Sequence, residues 1–328
     1  MLKLRKLTSA MLFSGLLAAV GGSQAATVAG SLVGGENTFQ DESREAYVDV
    51  NNDGLFNAGD VIFGFIQMSQ VTPGGAQSNN QIYGVFSQQI LASSSGNTVN
   101  FGATTAAGLT LSALLGGNPD VNASAIAAIY DKATPYANLT ANNATTAGFT
   151  SMQNYIANIA SGTLEIVSGI KTGNNFLQSV ISSAATSLGI AVGSSNGAFL
   201  SSLLDANFTV AGTSGGLDVS YNHTGFLITQ HSVFNPLLSG FVPVDIGLAS
   251  GTVGGANGTS TTPNNPTKGW LNAGAGFTQC SGTSSTPCGF TDKANYVIDV
   301  VPEPGSLALT ALALLALGGL TRRTSKSA

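Results

Sequence analysis

The chain has 328 residues, of which 43% are hydrophobic and only 8% are charged. The charged share is about a third of that in an average globular protein, so neutral polar side chains must form most of the surface, and the high apolar share excludes a disordered chain. Most of the eleven basic residues lie in the two terminal segments, while the sixteen acids leave the remainder acidic, which excludes a basic patch for nucleic acid.

Residues 1–25 have the three parts of an export signal. The basic start MLKLRK is followed by the apolar stretch LTSAMLFSGLLAAVGG, and the triplet SQA at 23–25 supplies the small residues that signal peptidase recognises. We expect signal peptidase to cut after Ala25, or alternatively after Ala26, and the body at 26–300 to be exported as a single domain. A buried helix or an uncleaved anchor is the other interpretation of this segment.

The first part of the body has the pattern of strands and turns. Short apolar stretches are separated by Gly, Asn and Ser, which is typical of strands in a sheet. The expected strands lie at 27–33, 61–68, 81–91 and 98–103.

The segment DVNNDGLFNAGD at 49–60 has the spacing of a twelve-residue calcium loop. Calcium takes six to eight oxygen ligands at about 2.4 Å, and alternate positions of such a loop point toward one centre, with glycine at the sixth position, where the chain turns. Gly54 occupies this sixth position, and Phe56 is the expected inward apolar anchor. The predicted ligands are Asp49, Asn51, Asp53, Leu55 through its backbone carbonyl, Asn57 and Asp60. A turn between strands with no bound ion is the alternative.

The longer segment DVNNDGLFNAGDVIFGF resembles the calcium motif of dockerins, which also has Asn at the third and ninth positions and Asp at the twelfth. The resemblance implies calcium as the cofactor. The sequence lacks the second loop that dockerins carry, so cohesin is not an expected partner. Because the twelfth residue is Asp rather than the longer Glu, we expect a dissociation constant on the order of 0.1 to 1 mM.

Between residues 106 and 205 the pattern of apolar residues changes to a three- and four-residue spacing, which predicts short helices. Helices are expected at 106–116, 150–160, 174–188 and 197–207, with strands at 125–131 and 162–170 among them. Strands are expected again at 207–212, 217–228 and 241–250, before a loop-rich segment at 251–290. The pattern predicts an α+β fold, with β-rich N- and C-terminal flanks around a region of short helices.

Two segments, at 193–197 and 212–216, match the G-x-S-x-G pattern of serine hydrolases. The first is followed, in the chain order of α/β-hydrolases, by the candidate partners Asp205, Asp218, His223 and His231. This pattern arises easily in so Gly- and Ser-rich a chain, and the regular alternation of parallel strands and helices is missing. We therefore interpret 193–197 as a flexible turn.

The remaining candidates for chemistry are two histidines and a few aromatic residues. His223 and His231 are too few for a zinc site, and we interpret them as surface or locally hydrogen-bonded side chains. Trp270, Phe277 and Phe290 are expected to anchor the core or loops rather than to form a sugar-stacking face. Since no catalytic constellation is evident, we expect no enzymatic activity.

Cys280 and Cys288 are separated by the segment SGTSSTP. In an oxidising compartment a pair at this spacing usually forms a disulfide, and we predict one here, with a stabilising effect of about 2 to 3 kcal/mol. A metal site would need further Cys or His nearby, and this part of the sequence has none.

The chain ends in a three-part tail at 301–324. A Pro-Glu-Pro triplet at 302–304 is followed by an apolar run at 307–320 and then by two arginines. As a helix the run would span roughly 21 Å, which is less than the hydrocarbon core of about 30 Å, so it would need its flanks to cross a membrane. The basic end would stay on the cytoplasmic side.

This tail resembles the PEP-CTERM sorting signal of Gram-negative bacteria. The resemblance is carried by Val301, Pro302, Glu303, Pro304, Arg322 and Arg323. It implies that the membrane protease exosortase removes the tail, so that the protein is anchored transiently in the inner membrane and then released to the cell surface or into exopolysaccharide. It implies nothing about the activity of the body.

We therefore expect an exported envelope or extracellular-matrix protein of a biofilm, with a structural or binding role. A secreted polysaccharide-active enzyme, with two carboxylates about 5 to 10 Å apart, is one alternative. A carbohydrate- or ice-binding module is the other.

Overall fold

The computed structural model describes residues 28, 32, 34–72, 77–132, 149–171, 173–195, 211–253, 288–290 and 292–302. In this part of the chain, 54% of the residues are in strands and 9% in three short helices. The strands are β1 (Gly35–Val48), β2 (Val61–Thr72), β3 (Gln77–Ile90), β4 (Thr98–Ala103), β5 (Ala125–Asp131), β6 (Thr163–Gly169), β7 (Phe176–Ile181), β8 (Ala211–Asn222), β9 (Phe226–Thr229), β10 (His231–Asn235), β11 (Gly240–Val244), β12 (Ile246–Val253), β13 (Cys288–Phe290) and β14 (Asp292–Pro302). The helices are α1 (Leu111–Leu114), α2 (Phe149–Ala160) and α3 (Ser183–Ser187).

The main sheet closes on itself through antiparallel pairs. Starting from β1, the neighbours are β2, β3, β5, β6, β8, β12 and β14, and β14 pairs again with β1. Strands β4 and β7 pair with each other and form a second connection between β3 and β8, beside β5 and β6. Closure gives the sheet an interior face and an outer face, and it leaves no open edge along this ring of strands.

Alternation along β2 shows how the strands bury both faces. Ile62 and Ile66 belong to the interior apolar cluster, whereas Phe63 and Phe65 belong to a second cluster on the outer face. Because both faces are covered, the strand is an almost continuous apolar run rather than an alternating one.

The outer face is covered by two different elements. Helix α2 places Ile156 and Ile159 in the outer cluster together with Phe63 and Phe65, and the ring of Tyr155 lies 5.4 Å from that of Phe65. Elsewhere the hairpin of β10 and β11 packs Val233, Val242 and Val244 against Phe176 of β7.

The predicted α+β class is wrong, because the described residues form one large antiparallel sheet with three short helices. The largest error lies at 174–188, where the expected helix is instead strand β7 followed by the five-residue helix α3. Strand β7 is paired on both edges, with β4 and with β8. The side chain of Ser182 then caps α3 by accepting a hydrogen bond from the backbone N–H of Ala185.

The helix expected at 106–116 is also much shorter than predicted. Only Leu111–Leu114 is helical, and Gly116 and Gly117 follow with φ angles of 71° and 79°. Glycine adopts this left-handed conformation at little cost, and it ends helices.

Other elements agree with the sequence pattern. Helix α2 and strands β4, β5 and β6 lie where they were expected, while β2 and β3 are longer than predicted. The charged strand β1 and the strands β10, β13 and β14 were not predicted. The helix expected at 197–207 and most of the segments at 27–33, 207–212 and 251–290 lie outside the described residues.

Gly84 marks a close approach of side chains in the interior. A Cβ atom at this position would lie 2.5 Å from Ile66 Cγ1 and 2.9 Å from Ile129 Cδ1. We therefore expect Gly84→Ala to lower the free energy of unfolding by about 1 to 3 kcal/mol, measured by urea denaturation. Gly173→Ala is the control, because a Cβ there meets nothing within 4 Å. Equal stability of the two variants would contradict this packing.

Candidate metal centre

The predicted calcium loop joins the paired strands β1 and β2. Val48 pairs with Val61 at the end of the hairpin, so Asp49 and Asp60 are neighbours where the loop leaves and re-enters the sheet. Their exposed fractions are only 1% and 0%. In an EF-hand the corresponding loop lies between two helices, so the likeness of this chain to such motifs is confined to the loop itself.

Asp49 organises the turn at the start of the loop. Its carboxylate accepts hydrogen bonds from the backbone N–H of Asp53 at 3.3 Å and of Gly54 at 2.8 Å. Gly54 has a φ of 77° and Asn52 a φ of 55°, both in the left-handed region that a sharp turn requires. The glycine at the sixth position therefore lies where the chain reverses.

Asp53 lies at the exposed end of the loop, between two asparagines. Its Oδ2 accepts hydrogen bonds from Nδ2 of Asn57 at 2.6 Å and of Asn51 at 3.0 Å, and its Oδ1 accepts one from the backbone N–H of Leu55 at 2.8 Å. The bond from Asn57, followed by that from Leu55, lowers the pKa of Asp53 below its usual value. Rotation of the side-chain amide of Asn51 or Asn57 by half a turn would exchange its nitrogen and oxygen, so that the oxygen would face the expected position of the ion.

Asp60 closes the loop in a buried position. Its Oδ2 accepts hydrogen bonds from the Tyr47 hydroxyl at 2.6 Å and from the backbone N–H of Asn57 at 2.9 Å. Its Oδ1 is buried and has no well-formed hydrogen bond, although the backbone N–H of Val50 is close enough to the carboxyl group to lower its pKa. Burial raises the pKa of Asp60 to about 6, and the negative charge of Asp49 contributes to this shift. A buried carboxylate oxygen without a well-formed hydrogen bond is unfavourable, and a hard cation is one partner that would satisfy it.

The loop is also fixed to the rest of the body. The Tyr47 hydroxyl lies 3.1 Å from the carbonyl oxygen of Leu55, which connects this backbone ligand to Asp60. Phe56 is buried, and its ring lies 5.9 Å from that of Tyr47. Its backbone exchanges hydrogen bonds with Gly193 and Ser194. The six predicted ligands thus belong to one hydrogen-bonded network at the end of the hairpin, but the carboxylate oxygens of Asp49, Asp53 and Asp60 do not all lie within 4.8 Å of one another.

Residues 193–195, the described part of the first G-x-S-x-G segment, hold the calcium loop against the body through these backbone hydrogen bonds. Ser195 forms a β-bridge with Leu55, and Asn196 and Gly197 lie outside the described residues. The second G-x-S-x-G segment, at 212–216, lies within strand β8, whereas a nucleophile needs a sharp turn between strand and helix. Asp205 is outside the described residues, and among those described neither histidine is hydrogen-bonded to a serine.

The two histidines lie in separate acidic surroundings. His223 Nδ1 is 4.0 Å from Glu165 Oε2, and His231 Nδ1 is 3.0 Å from Asp299 Oδ2. Glu36 joins the second group, in which one ligand atom from each of the three residues lies within 4.8 Å of the others. Sequence reasoning missed this group because pairing of β1 with β14 is needed to place Glu36 opposite Asp299.

A buried pair of carboxyl groups was also missed. Asp131 and Glu165 are 8% and 6% exposed, and their carboxyl groups are close enough to share a hydrogen bond when one of them is protonated. Burial raises the pKa of Asp131 to about 7, and the nearby Glu165 carboxyl contributes. Burial also raises the pKa of Glu165. In the sequence, the only sign of this pair is Glu165, a single acid inside the largely apolar strand TLEIVSG. Since both groups are buried, they do not form the accessible cleft that polysaccharide hydrolysis requires.

The sorting motif and the cysteines are only partly described. Val301 and Pro302 end strand β14, where they pair with Leu227 and Phe226 of β9. Glu303, Pro304, Arg322, Arg323 and the apolar run at 307–320 lie outside the described residues, as do the signal segment, Cys280, Trp270 and Phe277. Cys288 begins strand β13, and the disulfide stays a prediction. No helix within the described residues is both long and apolar enough to cross a membrane.

The comparisons with known proteins do not extend this picture. No protein-family model, curated protein or solved structure matches the chain.

Proposed function

We propose that the chain is an exported calcium-binding protein of the cell envelope or the exopolysaccharide matrix, with a structural or binding role. The observation that carries calcium binding is the fully buried Asp60, whose Oδ1 has no well-formed hydrogen bond. It lies beside the buried carboxylate of Asp49, and no basic residue is present between 49 and 60. A divalent cation would satisfy Oδ1 of Asp60 and neutralise the repulsion between the two acids.

Isothermal titration calorimetry of the purified protein tests this function. We expect one calcium ion to bind with a dissociation constant on the order of 0.1 to 1 mM. Asp53→Ala removes an exposed ligand and should abolish the heat of binding, whereas Asp120→Ala, at an exposed acid outside the loop, should leave it unchanged. Absence of heat in the wild type, or equal heat in Asp53→Ala, would overturn the proposal.

We further propose that exosortase sorts the protein through the tail at 301–324. The sequence of the tail supports this, since the Pro-Glu-Pro triplet at 302–304 is followed by the apolar run at 307–320 and then by Arg322 and Arg323. A cut between Pro302 and Gly305 would leave the paired residues of β14 in the body.

Deletion of the exosortase gene tests the sorting step. In the deletion strain we expect the full tail to stay attached and the protein to fractionate with the inner membrane. In the parent strain the released form should begin near Ala26 and end between Pro302 and Gly305. Equal release by the two strains would show that exosortase does not act on this chain.

A further inference from the structure

The interior of the closed sheet contains a cavity of about 130 Å³. Its wall is formed by side chains from every strand of the ring and from β4 and β7, among them Ile66 and Phe86 on one side and Leu177 and Ile298 on others. Protein interiors have few voids larger than a water molecule. A cavity of this size is comparable to an engineered apolar cavity of about 150 Å³ that stays dry and binds benzene.

The distribution of side-chain sizes explains the position of the cavity. Four adjacent strands, β5, β6, β7 and β8, contribute small residues to its wall, namely Ala127, Ser168, Ser179 and Thr213. Larger residues such as Phe39 and Phe101 line the wall elsewhere. The space therefore results from a group of small residues on neighbouring strands rather than from a single missing side chain.

The charges and hydrogen bonds of the wall restrict the class of ligand. Ser179 and Thr213 are hydrogen-bonded to each other at 2.7 Å, and Glu45 accepts a hydrogen bond from Ser43 at 2.9 Å. No Lys, Arg or His is among the described lining residues, and Glu45 is an acid. An anionic ligand would therefore enter without a cationic partner, at a high desolvation cost. A neutral apolar group needs no polar partner.

We propose that this cavity is a binding site for a small uncharged hydrocarbon or aromatic group of about the size of a benzene ring. The ligand fills the space beside the small residues of β5 to β8 and contacts the apolar side chains around it. None of the six predicted calcium ligands lines the cavity, but Phe56 of the calcium loop does, so the two sites are neighbours.

Benzene and benzoate are suitable probes, because they share one ring and differ in charge. We expect saturating benzene to raise the melting temperature of the purified protein and to bind with a stoichiometry of one in calorimetry. Benzoate at the same concentration should cause no shift. A wild-type protein that does not respond to benzene, or that responds equally to benzoate, would overturn the proposal.

Two matched variants place binding within the cavity. Ala127→Leu fills the space from the wall, and it should weaken benzene binding at least tenfold without lowering the melting temperature of the unliganded protein. Ala157→Leu makes the same change on the exposed face of α2 and should bind as the wild type does. Leu177→Phe, also in the wall, replaces Ala127→Leu if that variant does not fold. Unchanged binding in a folded cavity-filling variant would refute the assignment.

Discussion

Asp60→Asn is expected to raise the melting temperature of the protein in a calcium chelator and to abolish its response to calcium. The wild-type carboxylate is fully buried beside Asp49, and its pKa is raised to about 6, so at pH 7.5 its ionised form destabilises the folded state. Asparagine has nearly the same shape and keeps an oxygen that can accept from Tyr47. We expect a gain of about 1 to 2 kcal/mol, which corresponds to a few degrees in a protein of this size.

The calcium response of the wild type should be of similar size. With a dissociation constant of about 0.3 mM, 10 mM calcium stabilises the folded state by about 2 kcal/mol through mass action. Asp53→Asn is the control, because Asp53 is exposed and its pKa is lowered rather than raised. It should lose the calcium response without the gain in chelator. A lower melting temperature of Asp60→Asn in chelator would show that the buried charge has another partner.

Asp131→Asn is expected to stabilise the protein at pH 8 by about 1 to 2 kcal/mol and to have little effect near pH 4. The pKa of Asp131 is raised from 3.8 to about 7, mainly by burial. Between these two pH values the folded state binds more protons than the unfolded state, so this group makes stability fall as pH rises from about 4 to 7. The Asp131→Asn variant lacks this carboxylate, so its free energy of unfolding should not fall for this reason as the pH rises.

The groups that face Asp131 determine how the experiment is designed. They are the carboxyl group of Glu165, the backbone N–H of Val28, which donates to Asp131 Oδ1 at 2.6 Å, and His223, which is 4.0 Å from Glu165. Urea denaturation at several pH values should therefore compare Asp131→Asn with Asp120→Asn, an exposed acid. A difference between variant and wild type that is the same at pH 4 and pH 8 would rule out titration of Asp131 as its cause.

The sequence predicted the parts of this fold whose signals are local. Strands β4, β5 and β6 are compact apolar stretches bounded by turn residues, and α2 has a clear helical periodicity. Strand β1 was missed because its sequence, GENTFQDESREAYV, is polar and acidic. It is a strand because β2 and β14 pair with its two edges, and residues distant in the chain supply that stabilisation.

The same distinction applies to the sites. The candidate calcium ligands lie within twelve consecutive residues, so their spacing alone could identify them, although only the fold shows that Asp60 is buried without a full set of donors. The pair of Asp131 and Glu165 and the group of Glu36, His231 and Asp299 depend on strand pairing between distant segments. Likewise, no sequence pattern shows that small residues of four strands leave a cavity.

Native mass spectrometry of the protein recovered from the culture medium is the decisive experiment for export and calcium binding, because one spectrum reports both processing and metal content. We expect a single chain that begins near Ala26, ends between Pro302 and Gly305, and gains the mass of one calcium ion when millimolar calcium is present. A secreted chain that still contains Arg322 and Arg323, or a processed chain that takes up no calcium, would contradict this expectation.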